Sequence, residues 1–189
     1  MEQEFVKQCK NLVMDLIKGL HTALPGEILS FDPQSGLAAV RPLAKAGEGN
    51  NRIDYPSIYG VPVLFPQGWG QKVSLAFPLQ AGDGCLLIMA EQALDYWLYG
   101  QETGLDLRFD LSNALAIPGL FSLPSALAAE ACAEQALILE ANSKRIKISS
   151  QGVEITGDLT VHGQIRSSGD VVAKYDLPDE RVSLLGGEA

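Results

Sequence analysis

The stretch GVEITGDLTVHGQIRSSGDVVA, Gly152 to Ala173, decides how the C-terminal part of this chain is expected to fold. Its large apolar residues occupy odd-numbered positions, Val172 excepted, and polar side chains lie between them. Alternation with a period of two places one apolar face on an extended chain. Gly157, Gly163 and Gly169 interrupt the pattern every six residues, where glycine permits tight bends between short strands. The residues predicted to face inward are Val153, Ile155, Leu159, Val161, Ile165 and Val171.

Repeats of about six residues that alternate inside and outside are typical of a β-helix or β-prism. A β-helix built by one chain needs about 18 residues per coil and several coils. The alternating register here supplies little more than one coil. Three identical chains wound about one axis solve this problem, because each contributes one face of a triangular prism and no sheet edge stays unpaired. We therefore expect an intertwined homotrimer, with an ordinary β-meander as the alternative.

Two further strands are predicted just before this stretch, in ALILEAN and KRIKIS between residues 136 and 149. Ile146 and Ile148 lie at even positions, so the inward parity must change before Val153. We expect an extra bend or bulge between Ser149 and Gly152 to make that change.

The N-terminal part predicts a helix followed by a barrel. Residues 4–20 have apolar side chains at three- and four-residue spacing, which indicates an amphipathic helix that packs on its own domain or a neighbouring subunit. A hairpin follows from Glu27 to Pro42, strand-like segments lie at 58–65 and 72–77, and Cys85–Met89 reads as a buried central strand. A short helix at 90–98 completes a pattern that fits a small barrel of the OB type.

The predicted fold class is therefore mainly β, with four segments. Residues 1–24 form the amphipathic helix, 25–120 the OB-fold barrel, 121–136 an Ala/Glu-rich linker, and 137–189 the trimeric β-helix, or needle. The polar segment 44–51 is expected to be a loop, and the tail after Tyr175 a loosely ordered tip.

Composition narrows the possible partners. Fourteen Lys and Arg against 23 Asp and Glu give a net charge of −9, which argues against a nucleic-acid partner. Cys9, Cys85 and Cys132 lack metal-ligand spacing and suggest a reducing compartment. Lys7, Lys10, Asp15 and Lys18 interrupt any apolar signal region. We expect a protein made in the cytoplasm.

Three segments in this order resemble the membrane-puncturing spike family of contractile tails (phage or tailocin), of the baseplate assembly protein V type with an N-terminal OB domain. They are PGEILSFDPQSGLAAVRPL (25–43), YPSIYGVPVLFPQGWGQKVSLAFPLQAGDGCLLIMAEQALDYWL (55–98) and RFDLSNALAIPGL (108–120). The resemblance implies a homotrimer whose OB collar docks to the tail hub in the baseplate. It also implies a triple-stranded β-helix needle that crosses the target outer membrane when the sheath contracts.

Two departures from that family matter. Related spikes often carry a C-terminal His-x-His that cages iron at the apex, whereas this chain has only His21 and His162. We therefore expect no metal and no cofactor, and a separate tip protein. Phe109-Asp110 and Asn113 stand where relatives tend to have His-Asp and Asp, so no polar role is expected for that loop.

An enzymatic activity is not expected. The acid pairs Glu91/Asp95, Asp106/Asp110 and Glu130/Glu134 are spaced like solvated charges, and 121–136 is too short for a lysozyme domain. The alternative function is an OB-fold module that binds single-stranded nucleic acid through Phe65, Trp69 and Phe77. Such a module needs a basic groove, which the composition does not favour.

Overall fold

The computed structural model describes residues 2–47, 52–102 and 104–172. The chain divides into two compact units, Met1–Pro124 and Ser125–Ala189. The first begins with helix α1 (Glu2–Lys18), which confirms the predicted amphipathic helix.

The strands of the first unit are short and antiparallel. In chain order they are β1 (Ala23–Asp32), β2 (Leu37–Pro42), β3 (Lys45–Ala46), β4 (Ile53–Asp54), β5 (Ile58–Pro62), β6 (Gln67–Gly68), β7 (Val73–Ser74), β8 (Gly84–Met89) and β9 (Ala114–Pro118). The predicted hairpin is confirmed as β1 and β2. Its turn is held by Asp32, whose carboxylate accepts from Gln34 N at 3.0 Å and from Ser35 Oγ at 2.6 Å.

The main sheet has the order β5-β2-β1-β8-β9 and curls until its two ends meet. Val63, just after β5, makes a parallel bridge with Ala116 of β9, and Leu64 N donates to Ala116 O at 2.8 Å. A five-stranded curled sheet with this closure fits the partly open barrel of the OB type. The sheet encloses a core of Ile28, Ala38, Val40, Ile58, Val61, Cys85, Leu87, Met89, Ala114 and Ala116.

Some boundaries in this unit differ from the sequence prediction. The expected strand 72–77 is reduced to Val73–Ser74, which pairs with Gln67–Gly68 in a short hairpin. The predicted loop 44–51 begins with a two-residue strand that pairs with Ile53–Asp54, and residues 48–51 lie outside the described residues. The predicted short helix is α2 (Asp95–Tyr99). Ala114–Pro118, a segment for which no strand is predicted from the sequence, is a full strand because it pairs along β8.

The second unit contains a helix and a three-stranded sheet. Helix α3 (Ala126–Glu134) begins after Ser125, whose Oγ accepts from Ala128 N at 3.3 Å. Strands β10 (Leu137–Ala141), β11 (Lys144–Ser149) and β12 (Gly152–Thr156) follow in spatial order. Within the described residues 157–172 no helix or strand is present. Ala173 and the predicted tip after Tyr175 lie outside the described residues, so the β-helix stays a prediction.

Candidate functional site

Six of the side chains on one face of the second unit's sheet are large and aliphatic. Residues that pair directly across antiparallel strands point to the same face. Leu137 pairs with Ile148 and Leu139 with Ile146 across β10 and β11, while Ile146 pairs with Ile155 and Ile148 with Val153 across β11 and β12. We call this set the apolar sheet face; it comprises Leu137, Leu139, Ile146, Ile148, Val153 and Ile155.

Two tight turns bring these residues to a common face. Asn142 and Ser143 connect β10 to β11 with φ of 48° and 65°, the left-handed conformations of a type I′ hairpin turn. Ser150 and Gln151 form the equivalent two-residue connection to β12. Across a two-residue turn, an odd-numbered residue pairs with an even-numbered one. The residues of the apolar sheet face are therefore odd-numbered in β10, even-numbered in β11 and odd-numbered in β12. The predicted change of parity before Val153 is confirmed, and its cause is a hairpin rather than a bulge.

The opposite face of the sheet lies under α3 and is tied to it by ion pairs. Arg145 Nη2 donates to Glu130 Oε2 at 3.1 Å, and Arg145 Nε donates to Glu140 Oε2 at 3.0 Å. Lys147 Nζ lies 3.1 Å from Glu134 Oε2 and 2.9 Å from Glu154 Oε2. This helix-covered face also buries Ile138.

Hydrogen bonds set the charge states of this network. The hydrogen bond from Arg145 holds the pKa of Glu130 below its ordinary value. Hydrogen bonds to Glu154 and Glu134 raise the pKa of Lys147, and those to Glu130 and Glu140 raise that of Arg145. These hydrogen bonds therefore favour the charged forms of Glu130, Arg145 and Lys147.

Nothing in the described part of the chain buries the apolar sheet face. Its six side chains remain between 40% and 64% exposed. A contiguous exposed apolar patch marks an interaction surface in a protein, because water exposure of that area opposes the folded state. The sheet therefore carries one ion-paired face and one exposed aliphatic face.

The predicted inward residues fall into two groups. Val153 and Ile155 lie on the apolar sheet face, where the structure joins them to four residues of β10 and β11 that the inward set left out. Leu159, Val161, Ile165 and Val171 are exposed in the segment after β12 and are not brought onto that face by any strand pairing in the described residues. Their inward orientation stays a prediction.

Three of the candidate acids, Asp106, Asp110 and Glu130, are engaged in local contacts. Asp110 Oδ1 accepts from Ser112 Oγ and from Ser112 N, and these hydrogen bonds lower the pKa of Asp110. Asp106 forms an ion pair with Arg108 at 3.2 Å, and Glu130 is held by Arg145 as above. A general acid needs a raised pKa, so the shifts at Asp110 and Glu130 run in the wrong direction.

The histidines and aromatic residues take structural positions. The His21 ring packs edge-on against Tyr55 at 5.3 Å, and His162 is exposed. Phe65 packs edge-on against Phe77 at 5.2 Å. Trp69 is 77% exposed at the tip of the β6–β7 hairpin, under Lys72. Among the described residues no group of three His, Cys, Asp or Glu side chains is placed to hold a metal ion.

Asn113 has a polar role that the sequence prediction missed. Its side chain is buried, and its Oδ1 accepts from Leu94 N at 3.0 Å. Its Nδ2 donates to Gln92 O at 2.7 Å and to Leu107 O at 3.0 Å. The expectation of no polar role in this loop is therefore wrong, because one amide joins two loops that are remote in sequence. A buried Asn cannot be recognised from the sequence when its partners are backbone groups.

Comparison with known proteins places the first unit in a family. The family model for the phage protein Gp138 N-terminal domain matches residues 24–119, which span β1 to β9. A search of curated proteins finds no match. No helix in the described residues is long and apolar enough to cross a membrane. The matched range covers the whole curled barrel and more than half of the sequence, and the chain belongs to the phage protein family defined by the Gp138 N-terminal domain.

Proposed function

We propose that this chain is a homotrimeric spike at the tip of a contractile phage tail, which pierces the target envelope when the sheath contracts. The family match supports a structural component of a phage tail. The observation that supports assembly into a trimer is the apolar sheet face, because six exposed aliphatic side chains on one sheet require a partner. A piercing role also needs a stiff assembly, which three interlocked chains supply.

In the proposed trimer, the apolar sheet faces of three copies point toward a common axis. The ion-paired face with α3 then points to solvent, where charged side chains are least costly. Strands β10 and β12 are the two edges of each sheet. Pairing β12 of one copy with β10 of the next would satisfy both edges around a closed ring. The alternating residues from Leu159 to Val171 would continue that core as the needle.

The proposed work of the spike is mechanical and non-enzymatic. Its barrel docks to the tail hub, its needle carries a separate tip protein, and no cofactor takes part. The engaged carboxylates of the acid pairs support this, since Asp110 and Glu130 are held in their ionised forms. The protein is made in the host cytoplasm and works in the baseplate of the particle.

The mass of the purified chain in solution tests the assembly directly. Light scattering on a sizing column should give three times 20.2 kDa, about 61 kDa. A stable mass of 20.2 kDa would contradict the proposal, since the apolar sheet face would then have no copy to bind.

A matched pair of variants tests which face makes the contact. Ile155 and Thr156 are neighbours on β12 and point to opposite faces of the sheet. Ile155→Glu should give a monomer, because an unpaired buried carboxylate costs several kcal/mol in each copy. Thr156→Glu adds the same charge beside Arg145 and should stay trimeric. A trimer in both variants would show that this face is not the contact.

A further inference from the structure

Helix α1 carries a second exposed apolar surface, in the first unit. Successive residues of a helix are about 100° apart, which places seven side chains within an arc of about 140°. We call this arc the apolar helix face; it comprises Phe5, Val6, Cys9, Leu12, Val13, Leu16 and Ile17. All seven are exposed. A lone helix of 17 residues is only marginally stable in water, so α1 needs a partner to cover this face.

The charges of α1 argue against a lipid surface as that partner. Helices that bind membranes in the interface plane carry Lys and Arg on their polar face. The polar side of α1 carries as many acids as bases, with Glu4 and Asp15 against Lys7 and Lys10. A protein surface is the better match for a helix without net charge.

The width and spacing of the face point to other copies of the same helix. Val6, Cys9, Val13 and Leu16 follow the alternating three- and four-residue spacing of a coiled-coil seam. A strict coiled-coil seam is narrower than the apolar helix face. The other apolar side chains of that face lie on both sides of the seam and widen the apolar surface. A helix with two neighbours needs that extra width, whereas a helix with one neighbour does not.

We propose that α1 packs against the α1 helices of two further copies of this chain, as a parallel three-helix bundle. This inference rests on the proposed trimer, because a threefold axis relates the three α1 helices with the same direction and at the same height along that axis. The bundle would give the trimer a second interface, separate in sequence from the apolar sheet face.

Cys9 offers a direct probe of this arrangement. It lies at the centre of the apolar helix face, and its thiol is free and exposed. In a parallel bundle in register, the Cys9 side chains of neighbouring copies face each other across the axis. A disulfide requires Cβ atoms about 3.5–4.5 Å apart, so crosslinking reports that approach. Cys132 is the other exposed cysteine, and Cys85 is buried.

The experiment uses the full chain with Cys132→Ser and treats it with the oxidant diamide. When two thiols form a disulfide, diamide takes up the two electrons and two protons that they release. We expect a covalent dimer on a non-reducing gel, unchanged by dilution and absent after Cys9→Ser. The matched control moves the thiol to the polar side, as Cys9→Ser with Asn11→Cys, about 160° away round the helix. That control should remain monomeric on the same gel.

A second pair of variants separates this inference from the proposed function. Leu16→Glu should reduce the yield of the Cys9 crosslink at least tenfold, while the mass in solution stays three times that of one chain. Gln8→Glu, on the polar side of the helix, should leave both the crosslink and the mass unchanged. The helix bundle alone is overturned if the mass in solution is that of three chains but Cys9 gives no crosslink. It is also overturned if the variant with Asn11→Cys crosslinks as strongly as Cys9. A single-chain mass overturns the trimer and the bundle together. Binding of α1 to vesicles of anionic lipid, with no crosslink, also overturns the bundle.

Discussion

At the scale of single residues, Asn113 shows how one buried amide organises part of the barrel. Its carboxamide satisfies backbone groups from the segment after β8 and from the loop before β9. Both of its functional atoms are used, and every buried side-chain nitrogen and oxygen in the described residues has a hydrogen-bond partner. Loss of the amide would leave these backbone groups without their partner at a buried position.

We predict that Asn113→Asp lowers the free energy of unfolding by about 3 kcal/mol, because a carboxylate cannot donate to the Gln92 and Leu107 carbonyls. Urea unfolding measures the change. Part of the loss should be recovered at low pH, where the buried acid binds a proton. Gln92→Ala is the control, since it keeps the backbone carbonyl and alters only an exposed side chain. Equal stability of Asn113→Asp and the parent chain would contradict the role assigned to Asn113.

Gly84 is a second residue whose identity follows from its surroundings. A Cβ at this position would lie 1.8 Å from Leu120 O, which is main-chain and has no rotamer to move away. We predict that Gly84→Ala costs about 1–3 kcal/mol in the free energy of unfolding. Gly68→Ala, where no atom lies within 4 Å, should change it by less than about 0.5 kcal/mol. Similar urea midpoints for the two variants would refute the close approach.

At the scale of elements, the second unit is a sheet with two unlike faces. Helix α3 covers one face through charged pairs, while the other carries the six aliphatic side chains, with Lys144 at its end. The ion pairs keep Arg145 and Lys147 on the helix side, so the sheet cannot present both faces to the same partner. This asymmetry distinguishes the two faces of the sheet.

The attachment of α3 should depend on pH through Glu130. Its pKa in the folded chain lies below the ordinary value of 4.5 because Arg145 donates to it. Its contribution to stability is therefore complete above pH 4.5 and is lost as pH falls through the lowered pKa. The difference in unfolding free energy between the parent chain and Glu130→Gln should shrink over that range. A difference that stays constant down to pH 2 would rule out this linkage.

At the scale of the whole molecule, the proposed trimer predicts an inward register beyond β12. Leu159 is predicted to face the axis and His162 to face solvent, so the same substitution should act differently at the two positions. Leu159→Asp would place three like charges together and should leave residues 157–172 open to protease. His162→Asp should leave them protected. Equal protection in both variants would show that the alternating register does not set the needle core.

The sequence by itself determined the features that depend on short-range pattern. The helix at α1, the β1–β2 hairpin and the buried β8 follow from periodicity and turn residues, which act within a few positions. The change of parity before Val153 could also be read, because a sheet with one apolar face requires it.

Only the tertiary structure decided what depends on partners distant along the chain. Ala114–Pro118 becomes a strand because β8 lies beside it, and Asn113 is buried because two loops close over it. The six-residue apolar sheet face needs the pairing of three strands, since no one strand contributes more than two of its members. Hydrogen-bond pairing and burial are properties of segments brought together in space, and a one-dimensional pattern does not contain them.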